Sequence, residues 1–288
     1  MDKREINKKI DTLDLLIGMT SAYSQVSSFR MKKIRDGVTS SRDFLSSIDT
    51  IFKELRSSQR REIKRLAKWR NGKNTVTFLA HNGKTSSVFI AANAGLYGDI
   101  IGRVFNDFIA EVREKNTEVT IVGKFGLSLF LSVEPNRPYT YFDYPDYGDN
   151  SDNLSQITRH LVSYEKIHIY YGKFRNLAYQ EPVSIEISAE TAVGVDDSDE
   201  KIVKYLFEPE LGEILAFFEG EMFTSTFEQV LHEAQLAKFS SRMIAMDKAG
   251  EKVKTELKKV QIDRLKMSHY LANKKQQDIF GSFQLWGG

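Results

Sequence analysis

The chain has 288 residues, 41% of them hydrophobic and 28% charged, enough for a substantial core, and it has no cysteine, which excludes disulfides, thiolate catalysis and Cys-based zinc sites and fits a reducing compartment. No apolar run is long enough to span a bilayer, and the opening MDKREINKKI has no apolar segment behind its charges to act as a signal peptide. The net charge of +2 is unevenly spread: residues 1–72 carry 17 Lys/Arg against 9 Asp/Glu, residues 238–288 carry 11 against 5, and the middle is acidic, so the basic ends suit an acidic protein collar or nucleic acid.

From residue 3 to about 66 the chain reads as one helix. Stepping alternately four and three residues from Ile6 meets Ile10, Leu13, Ile17, Thr20, Ser24, Ser27, Met31, Ile34, Val38, Ser41, Leu45, Ile48, Phe52 and Leu55. A seven-residue repeat held this long is the pattern of a helix buried along one narrow seam of a left-handed coiled coil. The polar seam positions are all Ser or Thr, small enough to let two helices approach closely. Gly18 and Gly37 each cost about 1 kcal/mol relative to Ala and are expected to mark a bend or a close contact. The basic run Arg60–Arg65 has no aromatic platform beside it on which bases would stack, so no nucleic acid is expected there.

Asn71-Gly72 breaks the helix. Thr75–Ala80 and Ser87–Ala92 read as strands joined by a turn at Asn82-Gly83. Asn82-Gly83-Lys84-Thr85 has the ending of a phosphate loop, but the loop's first glycine is replaced by Phe78. Ala94-Gly95-Leu96-Tyr97-Gly98-Asp99 leads into a helix whose apolar face is Ile100, Ile101, Val104, Phe105, Phe108, Ile109 and Val112. Strand, glycine turn and helix is how a dinucleotide site opens, but the glycines are spaced GxxGxxxG, not GxGxxG. Gly95 and Gly98 are therefore read as a structural turn, and no cofactor is expected. A strand at Glu118–Val122, a short helix after Lys124, a tyrosine-rich stretch from Tyr139 to Tyr147, a helix near Ser151–Tyr164 and strands at Lys166–Phe174 and Val183–Ile187 follow. This alternation gives an α/β fold class, a small Rossmann-like domain over 71–206 with a largely parallel sheet. Glu190–Lys201 reads as an acidic, exposed loop. The five histidines are scattered, and His232-Glu233 fails the HExxH pattern at Leu236, so no catalytic or metal-binding residue is expected.

Glu208-Pro209 opens the last helical region, with no proline after it. Some seventy residues of helix would be on the order of 100 Å long, against an average of about 11–12 residues, so such a helix needs a partner. Its seam reads Phe223, Phe227, Val230, Ala234, Ala237, Ser241 and Ile244, then, after a slip in register, Val253, Leu257, Val260, Met267 and Leu271. Residues 1–70 and 207–288 are therefore expected to pair as a long antiparallel two-helix coiled coil, with the α/β domain inserted between them.

Arg242-Met-Ile-Ala-Met-Asp-Lys-Ala249, Phe207-Glu-Pro-Glu-Leu-Gly-Glu-Ile-Leu215, Gly95-Leu-Tyr-Gly98, Ile121-Val-Gly-Lys124 and Glu181-Pro-Val183 occur in an order under which the chain resembles the gamma subunit of F-type ATP synthases. The first resembles that family's RMxAMxxA signature, and Gly95–Gly98 stands where the family usually has Gly-Leu-Cys-Gly. Thr20 and Ala22 match near the N-terminus, whereas Asp14, Gly18 and Ser21 stand where the family has basic residues. The resemblance implies a rotor shaft with no cofactor and no catalysis of its own, turning inside a ring of alpha and beta ATPase subunits. It places the α/β domain outside that ring, with an epsilon-like subunit and a membrane rotor ring, on the cytoplasmic face of the cell membrane. Ring contacts are expected from Lys8, Lys9, Thr20, Ala22, Arg242, Met243, Met246 and Lys248. The apolar tip containing Ile279, Phe280, Phe283 and Trp286 would act as a low-friction bearing. The alternatives are the shaft of a diverged F-type-like motor that drives something other than an ion channel, and a coiled-coil adaptor or nucleic-acid binder with an α/β head.

Overall fold

The computed structural model describes residues 3–58, 79, 81–115, 117–148, 150–188 and 210–286. The domain limits expected near residues 70 and 206, the basic run Arg60–Arg65, the Asn71-Gly72 break, the strand Thr75–Ala80 apart from Leu79, the acidic loop Glu190–Lys201 and Glu208-Pro209 lie outside the described residues. The elements in chain order are α1 (Lys3–Ser58), β1 (Thr85–Ile90), α2 (Ile100–Glu114), β2 (Glu118–Val122), α3 (Lys124–Val133), β3 (Tyr139–Phe142), α4 (Ser151–Leu161), β4 (Lys166–Phe174), β5 (Gln180–Ser188) and α5 (Leu211–Trp286). The chain divides into two compact units, Met1–Ser27 with Arg242–Gly288, and Ser28–Ser241.

In Ser28–Ser241 the strands form one sheet in the order β3-β2-β1-β4-β5. All neighbours are parallel except β4 and β5. Both faces are covered, which is why β1 and β2 are buried almost throughout, Ser86, Ser87 and Thr120 included, and not at alternate residues only. On one face α2 and α3 bury Phe89, Val119, Ile121 and Tyr170, joined by Met31, Ile34 and Val38 of α1 and by Leu236 and Phe239 of α5. Phe108 is central there, stacked 5.2 Å from Phe89 and edge-on to Tyr170 at 5.6 Å. On the other face Ile157 and Leu161 of α4, with Phe227, Val230, Leu231 and Ala234 of α5, cover Val88, Ile90, Ile167, Ile169 and Tyr171. The helix expected to reach Tyr164 ends at Leu161. Its start is set by Asn150, whose side chain accepts from the N–H groups of Asp152 and Asn153 at 3.2 Å. β5 is longer than Val183–Ile187 because it pairs with all nine residues of β4, from Lys166↔Ser188 to Phe174↔Gln180. Pro182 is tolerated because β5 is an edge strand.

Within this unit α1 and α5 pack antiparallel. Arg42 is 3.1 Å from Glu233, Ser41 is 3.3 Å from His232, the Phe52 and Phe218 rings are 5.7 Å apart, and Leu55 joins Leu215. Rising α1 numbers meet falling α5 numbers.

Met1–Ser27 with Arg242–Gly288 is a second antiparallel pairing of the same two helices. Ile6, Ile10, Leu13 and Val260 are buried together, with Val253, Leu257 and Met267 packed against them. Each of the four buried side chains contributes about 1.5–3 kcal/mol. Lys9 is 3.0 Å from Glu256, and Thr20 lies opposite Gly250. Every seam position from Ile6 to Leu55 is buried or half-buried. The α5 seam is taken up after the slip by Met246 and Gly250, both buried. Leu271, expected in the seam, is 42% exposed; the first seam residue of α1, Ile6, packs in the cluster that holds Val253, Leu257, Val260 and Met267. Gly18 and Gly37 neither break α1 nor mark a close approach: a Cβ at Gly18 meets nothing within 4 Å, and one at Gly37 meets only His232 at 3.9 Å. The close approach is at Gly250, where a Cβ would lie 3.1 Å from Thr20 Oγ1.

Candidate functional site

In an open α/β sheet, ligands bind beyond the carboxyl ends of the strands, where the strand order reverses. Here that point lies between β1 and β4, and α5 fills it. A Cβ at Gly172 of β4 would lie 2.7 Å from Ile100 and 3.6 Å from Ala237 of α5. Lys238 donates to the Ala91 carbonyl and to Asp146, both at 3.0 Å. Asp146 also accepts the backbone N–H groups of Asn93 and Ala94 at 3.0 Å. Asn93 donates to Asp143 at 2.6 Å and to the Tyr144 carbonyl at 3.1 Å, and accepts the Lys124 N–H at 2.9 Å. Gln235 donates to the carbonyls of Pro145 and Gly148 at 3.3 Å. Burial pushes the Asp146 carboxyl up, but the Lys238 ammonium and the Asn93 and Ala94 N–H groups outweigh it and hold the group below the usual carboxylate range. The arrangement anchors a helix, since its carboxylate and its ammonium are already committed to one another.

The Gly95–Gly98 turn serves the same end. Gly98 sits at φ +65 and Leu96 at φ +67, and the turn buries Tyr97 edge-on against Phe239 at 5.7 Å. Sequence reasoning missed Lys238, Asp146, Asn93 and Gln235. The available signal was a lysine set between the apolar Leu236-Ala237 and Phe239.

The residues expected to touch a ring fall into distinct groups. Lys8, Ala22 and Lys248 are exposed, as are Ile279 and Phe280. Lys9 is half-exposed and paired with Glu256. Thr20 turns its hydroxyl to the Leu16 and Ile17 carbonyls. Met246 is buried and Met243 half-buried. Arg242 is 6% exposed, its guanidinium 5.9 Å from the centre of the Tyr23 ring. The Phe283 and Trp286 side chains lie outside the described residues.

A family model described as ATP synthase matches residues 2–267. The ATP synthase gamma chain of Flavobacterium psychrophilum is 27% identical, over 95% of this chain and 92% of its own length. That of Pelotomaculum thermopropionicum is 24% identical, over 95% and 93%. This chain belongs to the ATP synthase gamma family. Among solved structures, the central stalk/c-ring structure of the Tetrahymena thermophila mitochondrial ATP synthase holds a chain of the same fold (TM-score 0.56, 18% identity, 80% of this chain and 99% of that one). So does the Euglena gracilis mitochondrial ATP synthase (TM-score 0.55, 14% identity, 89% and 94%).

In this gamma-family chain α1 carries a second apolar row outside the seam. Leu15, Met19, Ala22 and Val26 follow the same four-three spacing on a different face, and all are exposed. Among the described residues no group of His, Asp or Glu is placed to hold a metal ion, and no helix is long and apolar enough to cross a membrane.

Proposed function

We propose that this chain is the central shaft of an F-type rotary ATPase, turning within a ring of alpha and beta subunits and carrying its α/β domain against an epsilon-like subunit and a membrane rotor ring. The observation that carries the reading is the antiparallel pairing of the two chain ends, with Lys9 at Glu256 and Ile6, Ile10 and Leu13 among Val253, Leu257 and Val260, in a chain of the gamma family. Nucleotide chemistry belongs to the ring, and the shaft supplies asymmetry. Two unlike helices have no threefold axis, so each of three catalytic subunits meets a different side. A contact that differs by about 1–3 kcal/mol between two ring conformations changes nucleotide affinity about 5–150-fold. By linkage, the same free energy turns the shaft when nucleotide binds. Lys8, Lys248 and the row Leu15, Met19, Ala22 and Val26 are exposed on the helix pair and suited to touch the ring. Exposed Ile279 and Phe280 suit an apolar sleeve, in which no directed bond must break as the tip turns. The complex would lie at the cytoplasmic face of the membrane.

Co-expression with alpha- and beta-type subunits tests this. The expected result is co-purification, and an ATPase activity that changes when this chain is left out. A chain that stays monodisperse by itself, ignores both subunits and binds nucleic acid with a steep salt dependence would favour the adaptor reading instead.

A further inference from the structure

The tyrosine-rich stretch after β3 has no part in the seam, yet its residues Asp143–Gly148 touch three parts of the Ser28–Ser241 unit at once. Toward β1, Asp146 accepts from the Asn93 and Ala94 N–H groups and Asp143 from the Asn93 amide. Toward α5, Asp146 pairs with Lys238 at 3.0 Å, the Pro145 and Gly148 carbonyls accept from Gln235, and Tyr147 stands edge-on to Phe239 at 6.2 Å. Toward α1, the Arg30 guanidinium lies 4.7 Å from the centre of the Tyr147 ring. These contacts differ in kind from the seam. Apolar contacts are non-directional and resist separation more than sliding. Charge-assisted hydrogen bonds fix both distance and direction.

We propose that the Asp143–Gly148 loop is the clamp that stops the sheet domain from turning about the helix pair, with Lys238 as its key. The proposal rests on the rotor reading above. A rotor is driven in one place and loaded in another, so its load-bearing domain must be held in azimuth as well as in contact. Lys238 and Asp146 are 7% and 11% exposed, so turning the sheet past α5 would pull apart an ion pair that water is not at hand to replace. The crevice that would hold a ligand in a related sheet here holds the shaft.

The test uses the chain assembled with alpha and beta subunits, the ring fixed to a surface. The chain has no cysteine of its own, so Ser155→Cys, at an exposed position of α4, gives one attachment point for a probe on the sheet domain. In this parent the probe turns when ATP is added. In Lys238→Met the ring hydrolyses ATP at the parent's rate, but the probe stalls at about half the load or less and its angular spread at each pause widens, because one partner of a buried pair is missing. Tyr147→Ala, which loosens the α1 and α5 contacts without uncovering a buried charge, shifts load and spread in the same direction and carries the test if Lys238→Met does not fold. Stall load and spread equal to the parent's in both variants would overturn the clamp. Loss of hydrolysis in step with load would overturn it too, since the defect would then lie at the ring. A parent probe that stays still while ATP is consumed would sink the rotor reading itself, and the clamp with it.

Discussion

Lys238 and Lys9 are both ion-paired lysines, and burial separates their worth. Lys238 and Asp146 are nearly out of water, whereas Lys9 and Glu256 are each more than 40% exposed. Breaking a buried pair costs about 3–5 kcal/mol because the remaining charge is stranded; an exposed pair is screened and contributes little. In denaturant unfolding, Lys238→Met is therefore expected to lower the midpoint strongly, while Lys9→Met leaves it almost unchanged. His160 adds a pH dependence. It lies 5.3 Å from the rings of both Phe142 and Tyr164, and burial pushes its imidazole below the usual histidine value, with Glu118 pulling it partly back. A base whose pKa falls on folding favours the folded state when neutral. That contribution is complete above the unfolded value of about 6.5 and is lost as pH drops through the lower folded value. Unfolding free energy should fall as the pH is lowered from about 7.5 in the parent, and fall less in His160→Phe. An equal loss in both would remove His160 from the account. None of these roles was legible beforehand, because a single lysine or histidine carries no periodic signal and its partners come from distant segments.

The helices differ in how much of their burial their own spacing announces. On α1 the seven-residue seam matches the observed burial from Ile6 to Leu55, because this helix buries one narrow stripe. On α5 every residue from Val230 to Arg242 is buried, since this stretch meets the sheet ends and α1 together. A helix buried all round has no preferred face to report, which is why nothing in the spacing marks Lys238; the slip in register comes later, between Ile244 and Val253, where Asp247 and Lys248 are exposed. The glycines make the same point through space. Gly18 has open room where a side chain would go, so Gly18→Ala should stabilise the fold by up to about 1 kcal/mol. Gly250 has Thr20 against it, so Gly250→Leu should separate the helices and lower the unfolding midpoint. Thermal melts of the two variants give opposite signs if this is right.

For the chain as a whole, a partner surface should be separable from the core. Phe280 is 73% exposed and Leu271 is 42% exposed, so Phe280→Ser and Leu271→Ser are expected to leave the unfolding midpoint where it is while weakening co-purification with the alpha and beta subunits. A fall in stability without loss of association would place these side chains in the fold and not at an interface. The paired chain ends, the α/β middle and the family were legible in the chain alone, because heptad spacing, strand–helix alternation and the Arg242–Ala249 signature are local patterns that survive without knowledge of neighbours. Which residues hold the sheet domain to the helices was settled only by folding. Asp146, Asn93 and Lys238 are as much as 145 positions apart in the sequence, and a buried charge acquires its meaning from the opposite charge that the fold brings to it.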